Sequence, residues 1–232
     1  FGGGGSPLCP WESATARLVC KGWAKQVLRC QTTLNVALGR YPGGDMGALA
    51  ASSVSDLKAW SNTPGGFQGE AVPHLFASAA GLTSLVSLDV SRLRRGLSDA
   101  QLACIGTCSS LRKLSLSVKR PNPHGQVAAT SDGLARCLAA LPRLEALTVE
   151  CHSFRKVSGD PAGLLALQAL VSDEVRAAAT ASDGRSGLKA LHLAGCSIPG
   201  NGEIDVRHFG CLTDLRLEVR CFHGLVRLQV PG

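Results

Sequence analysis

The chain has 232 residues and a net charge of +7, with 45% hydrophobic but only 4% aromatic residues. That length can bury a sizeable core, and the residue balance makes it a core of leucine and alanine. No apolar run approaches the roughly 18 residues of a membrane-spanning helix, no secretory pattern opens the chain, and the scattered basic residues lack the interleaved aromatics that stack nucleic-acid bases.

In chain order, residues 1–10 form a flexible lead, with Gly2 to Gly5 and Ser6 at its start. The chain begins with Phe1 rather than Met, so it is read as N-terminally incomplete. Residues 11–30 fit one amphipathic helix. Ala16, Val19, Cys20, Trp23, Val27 and Cys30 share an apolar face, and Arg17, Lys21 and Lys25 lie opposite.

From residue 31 to 232 one apolar phrase organises the chain. Leu85-x-x-Leu88-x-Val90 recurs from Leu111, Leu144, Leu188, Leu212 and Leu225, six copies in all. The intervals between first leucines are 26, 33, 44, 24 and 13 residues. The 33 and 44 imply insertions, near 120–130 and 152–187, and the 13 leaves no room for a helix before the last copy. Two degenerate copies are expected upstream on spacing alone, Gln31-x-x-Leu34-x-Val36 and Leu57-x-x-Trp60-x-Asn62.

Helices are expected between the phrases. Ser98-Asp99 opens one, with Leu102 and Ile105 inward, and Ser131-Asp132 opens another, with Leu134, Cys137 and Leu138 inward. Such residues accept the unpaired amide protons of a first helical turn. In the larger insertion, Asp160-Pro161 and the apolar run Leu164, Leu165, Leu167, Leu170, Val171 and Val175 predict one long helix over 161–182. Residues 120–125 read as a loop.

The repeated phrase resembles the core of a leucine-rich repeat, whose period is roughly 20–29 residues. Residues 97–116 resemble the cysteine-containing subtype, with Cys108 three residues before the next phrase. Cys196 alone occupies that subtype's post-strand position, where Leu93, Lys119, His152 and Arg220 depart from it. The resemblance implies an α/β solenoid with a curved parallel sheet inside and helices outside, because one repeat buries its apolar face only against its neighbours. Upstream, Ala16-Arg17-Leu18-Val19-Cys20-Lys21-x-Trp23 resembles the second half of an F-box, a module that often precedes such repeats. The Leu-Pro-led first helix of that module is absent.

Catalysis finds no constellation here. None of His74, His124, His152, His192, His208 and His223 sits in a motif with a nucleophile, and the glycine run lacks the strand and Lys of a phosphate loop. No Cys-x-x-Cys pair occurs and no His completes a zinc spacing, so neither metal nor cofactor is expected. The ten cysteines read as reduced thiols, Cys104, Cys108 and Cys137 among them, which favours a reducing compartment.

Strand alternation names a binding face. Ser87, Asp89, Ser91, Lys113, Ser115, Ser117, Thr148, Glu150, His192, Asp214, Arg216, Glu218, Arg227 and Gln229 are expected to point away from the leucines. The mixed sign suits a protein partner, with no specific nucleic acid and no membrane. The two resemblances together imply a non-enzymatic, cytoplasmic or nuclear subunit that recognises substrates for a cullin–RING ubiquitin ligase. Leu18, Val19 and Trp23 would then face the adaptor. The alternative is a leucine-rich-repeat scaffold in a cytoskeletal or ciliary assembly, and the Ala- and Gly-rich composition is similar to that of green-algal proteins.

Overall fold

The computed structural model describes residues 32–37, 54–60, 84–93, 97–119, 129–152, 166, 168–181, 187–198, 203–222 and 227–229. They form an α/β structure. The strands are β1 (Thr33–Ala37), β2 (Asp56–Trp60), β3 (Ser87–Asp89), β4 (Lys113–Lys119), β5 (Ala146–His152), β6 (Ala190–Ile198), β7 (Glu203–Asp205), β8 (Asp214–Phe222) and β9 (Arg227–Gln229). The helices are α1 (Asp99–Gly106), α2 (Ser131–Ala139) and α3 (Asp173–Ala181). Seven strands make one parallel sheet in the order β1-β2-β3-β4-β5-β6-β8, and β7 pairs with β9 in a second, parallel pair. No helix among the described residues is long and apolar enough to cross a membrane.

The repeated leucine sets the register. Leu34, Leu57, Leu88, Leu114, Leu147, Leu191 and Leu215 stand opposite one another strand by strand across the sheet. A one-residue slip on any strand would throw its leucines to the other face, so burial of one face fixes the pairing. From Leu34 to Leu191 these residues are at most 4% exposed, and they share one core with Leu102, Ile105, Leu134 and Leu138 of the helices.

The ladder corrects one expected phrase. Leu57 pairs with Leu88, the second leucine of its phrase, so the β2 copy reads Val54-x-x-Leu57-x-Ala59 rather than starting at Leu57. Val54, Leu57 and Ala59 are all buried. The phrase predicted at Gln31 keeps its register, with Leu34 opposite Leu57.

The first two helices start on polar caps. Ser98 accepts from the Gln101 amide while Gln101 Oε1 accepts from the Ser98 amide, a reciprocal capping box. On α2 the cap is Thr130, one residue before the expected Ser131, and its hydroxyl accepts from the Gly133 amide at 3.0 Å. The long helix expected over 161–182 is interrupted. Residues 168–170 are helical, the chain turns at Val171 and Ser172, and α3 restarts with the Ser172 hydroxyl accepting from the Val175 amide. A serine that caps its own downstream amides offers the backbone an exit from the helix, and here it takes it. Residues 161–165 lie outside the described residues.

The C-terminal end differs most from expectation. β6 carries a bulge at Gly195, whose φ of 71° lies in the left-handed region that only glycine enters without strain. The phrase that begins at Leu225 does not join the main sheet. Its strand β9 pairs with β7, Glu203 opposite Arg227 and Ile204 opposite Leu228. Leu188 and Leu212 open their phrases 24 residues apart, and the paired Glu203 and Arg227 are separated by the same interval. The 13-residue spacing therefore marks a second short strand within each of the last two units. Leu215, the last leucine of the row, is only partly buried.

Candidate functional site

One face of the sheet is the leucine core; the other is polar. Three rows of residues cross it. The first runs Asp56, Ser87, Lys113, Ala146, Ala190, Asp214. The second runs Lys58, Asp89, Ser115, Thr148, His192, Arg216. The third runs Ser117, Glu150, Ala194, Glu218. Small side chains share the middle strands with Lys113 and Glu150, and the other charges stand toward the flanks.

Five carboxylates and three basic side chains, leaving His192 aside, occupy those rows. Those three rows therefore carry an acidic excess within a chain whose net charge is +7. Several charges are already engaged. Asp89 Oδ1 accepts from the Ser91 hydroxyl at 2.9 Å and from its amide at 3.1 Å. Asp214 Oδ1 accepts from Arg216 Nε at 3.3 Å. His192 Nε2 lies 3.3 Å from Glu218 Oε1, without the geometry of a hydrogen bond.

The predicted site residues divide accordingly. Asp89, Lys113, Ser115, Glu150, His192, Asp214, Arg216 and Glu218 come together on this face. Ser91 and Ser117 do not serve as exposed contacts. Ser91 is buried because β3 ends at Asp89, where the aspartate carboxylate draws the Ser91 amide into a turn. Ser117 sits in the third row but is 2% exposed, and its hydroxyl has no partner among the described residues. Arg227 and Gln229 belong to β9, so they are removed from this sheet altogether. Leu18, Val19 and Trp23 lie outside the described residues.

Asp56 and Lys58 were missed. Their signal was present, since a phrase starting at Val54 puts both at alternating outward positions.

Away from this face, two ionic clusters tie successive units together. Glu145 bridges neighbouring strands, 2.7 Å from Arg112 and 3.4 Å from Lys189. Desolvation pushes its pKa up, but Lys189 and Arg112 outweigh it and hold the carboxyl below its usual value. Asp205, at the end of β7, accepts from the Arg207 side chain at 3.0 and 3.1 Å and from the Arg207 amide at 3.0 Å, and it faces Arg176 of α3 at 3.7 Å. The Arg207 bonds and the two guanidinium charges hold that carboxyl far below the carboxylate range, against some desolvation. Beside it, His208 Nε2 bonds the Leu170 carbonyl at 3.0 Å, joining the β7–β8 turn to the helical segment before Ser172.

Among the described residues no three His, Cys, Asp or Glu side chains gather as a metal-binding group. No protein-family model matches the chain, and no curated protein or solved structure is significantly similar to it.

Proposed function

We propose that the chain is a leucine-rich-repeat solenoid that binds a protein target on the polar face of its sheet, as the substrate-recognition subunit of a cullin–RING ubiquitin ligase in the cytoplasm or nucleus. The solenoid reading is supported by the in-register leucine row and by the alternation of parallel strands with helices that share its core. The target-binding reading rests on one observation above all, the set of charges of both signs held on a rigid sheet face. Its acidic excess favours a target with clustered Lys and Arg and disfavours a phosphate backbone, whose binding draws on cationic surfaces. The ligase part comes from the Ala16-Arg17-Leu18-Val19-Cys20-Lys21-x-Trp23 sequence alone.

The deciding experiment is capture of the ligase adaptor by the chain expressed with its natural N-terminus. Capture is expected, weakened by Trp23→Ala in a protein whose circular dichroism is unchanged. A well-folded protein that captures no adaptor overturns the ligase part. It leaves a leucine-rich-repeat scaffold that binds its partner on the same face.

A further inference from the structure

β8 is an edge of the main sheet. β6 pairs along one side of it, and among the described residues no strand pairs along the other. The apolar side shows the same opening. Leu191 and Leu193 of β6 are 1% exposed, whereas Leu215 and Leu217 of β8 are only partly buried. The other outer strand is covered, since Leu34 of β1 is 4% exposed. A long strand edge with half-covered leucines is a template for another strand.

The sequence of the edge selects the partner. The Asp214 amide donates to the Lys189 carbonyl at 2.9 Å. Backbone groups alternate sides along a strand, so those of Arg216 and Glu218 also turn toward β6, and those of Leu215 and Leu217 turn to the free edge. On the polar face Asp214, Arg216 and Glu218 read acid, base, acid, with side chains 50%, 69% and 70% exposed. A second β8 laid parallel against the same edge would turn its polar face to the opposite side of the sheet, where its charges meet none of those on the first. Laid antiparallel about Leu217, it sets Arg216 against Glu218 twice. In this arrangement Leu217 exchanges its free amide and carbonyl with its twin. Arg216 and Glu218 fall at the non-hydrogen-bonded positions, where opposed residues are closest, about 4.5 Å between Cα atoms.

We infer that β8 is a self-association edge and that its occupant is a second copy of this chain, joined antiparallel about a two-fold axis at Leu217. The two seven-stranded sheets then run on as one, and both polar faces open to the same side. Both leucine cores gain the cover that Leu215 and Leu217 lack.

Sedimentation velocity of the 232-residue chain across a concentration series tests this. A monomer–dimer equilibrium is expected. Arg216→Glu alone or Glu218→Arg alone should raise the dissociation constant about tenfold, since each turns two attractive pairs repulsive. The double variant R216E/E218R restores opposite charges across the axis and should recover dimerisation, while Leu217→Pro removes the central amide and should abolish it. Equal thermal melts of the Arg216 and Glu218 variants separate loss of pairing from loss of fold. A chain that stays monomeric throughout overturns the inference. So does a dimer indifferent to the single reversals, or one that the double reversal fails to restore.

Discussion

Asp99, in the first turn of α1, holds the cap of the next helix. Its two carboxylate oxygens accept from the amide and the hydroxyl of Thr130, at 2.8 and 2.9 Å, while the same hydroxyl accepts from the Gly133 amide. The N-terminus of one helix thus fixes the N-terminus of its neighbour. The arrangement also explains Gly133, where a Cβ would overlap the Asp99 carboxylate.

A double-mutant cycle follows from that crowding. Asp99→Ala removes two charge-assisted bonds from a largely exposed site and should cost about 1 kcal/mol. Gly133→Ala alone should destabilise despite alanine's better helix propensity, because the carboxylate must leave its place. With Asp99 already Ala only the Cβ of residue 99, 3.1 Å away, still crowds the site, so the same change should cost clearly less. Urea unfolding of the four proteins measures the coupling, and additivity would refute the proposed contact.

Position along the leucine row should set the cost of losing a leucine. Leu147 is 1% exposed between two paired strands, so Leu147→Ala should lose about 2–5 kcal/mol. Leu215 is partly exposed on the outer strand, and Leu215→Ala should cost clearly less. Equal losses in chemical denaturation of the dilute chain would contradict the open edge.

The sequence made the leucine row legible because its phrase carries two facts at once, an inward set at alternating positions and a recurrence that stacks it. Where the apolar residues are small, as at Val54 and Ala59, the phrase lost its signature and Leu57 was placed three residues out of register. The break at Ser172 was hidden because apolar spacing runs through it from Leu164 to Val175, while the hydroxyl that ends the helix is a local competitor that periodicity does not register. Charges on β4, β5, β6 and β8 followed from alternation. Alternation failed at Ser91, where the strand had already turned, and at Arg227, where the strand joined another sheet.

Acidification should loosen the C-terminal region through His208. Desolvation lowers its pKa below the ordinary 6.5, helped by Arg176, with the Leu170 carbonyl and Asp205 opposing. A carbonyl only accepts, so Nε2 carries the proton of a neutral ring in the Leu170 bond. The unfolded chain then binds more protons than the folded one below about pH 6.5, and stability falls as the pH drops through the window between the ordinary and the lowered pKa. Above 6.5 this contribution is constant. Thermal melts between pH 7.5 and about pH 5 should show a declining midpoint, and His208→Gln should flatten the decline. An unchanged slope in that variant would assign the acid sensitivity elsewhere.

The thiols should react in an order set by burial. Cys137 is pushed up to about 12 by burial and then by neighbouring Cys108, and Cys108 is pushed up to about 11 by burial and then by Cys104. Only the thiolate attacks an alkylating reagent, so even at pH 9 about 1% of Cys108 would be reactive had it been accessible. Cys211 is exposed in the turn before β8, with Gly187 beside it. A short pulse of iodoacetamide on the native chain, read by peptide mass mapping, should modify Cys211 and spare Cys108, Cys137 and Cys151. The three buried thiols should label at the rate at which the core opens, so stabilising the protein should slow them and leave Cys211 unaffected. Labelling of Cys137 as fast as Cys211 would mean that α2 does not pack against the sheet as described.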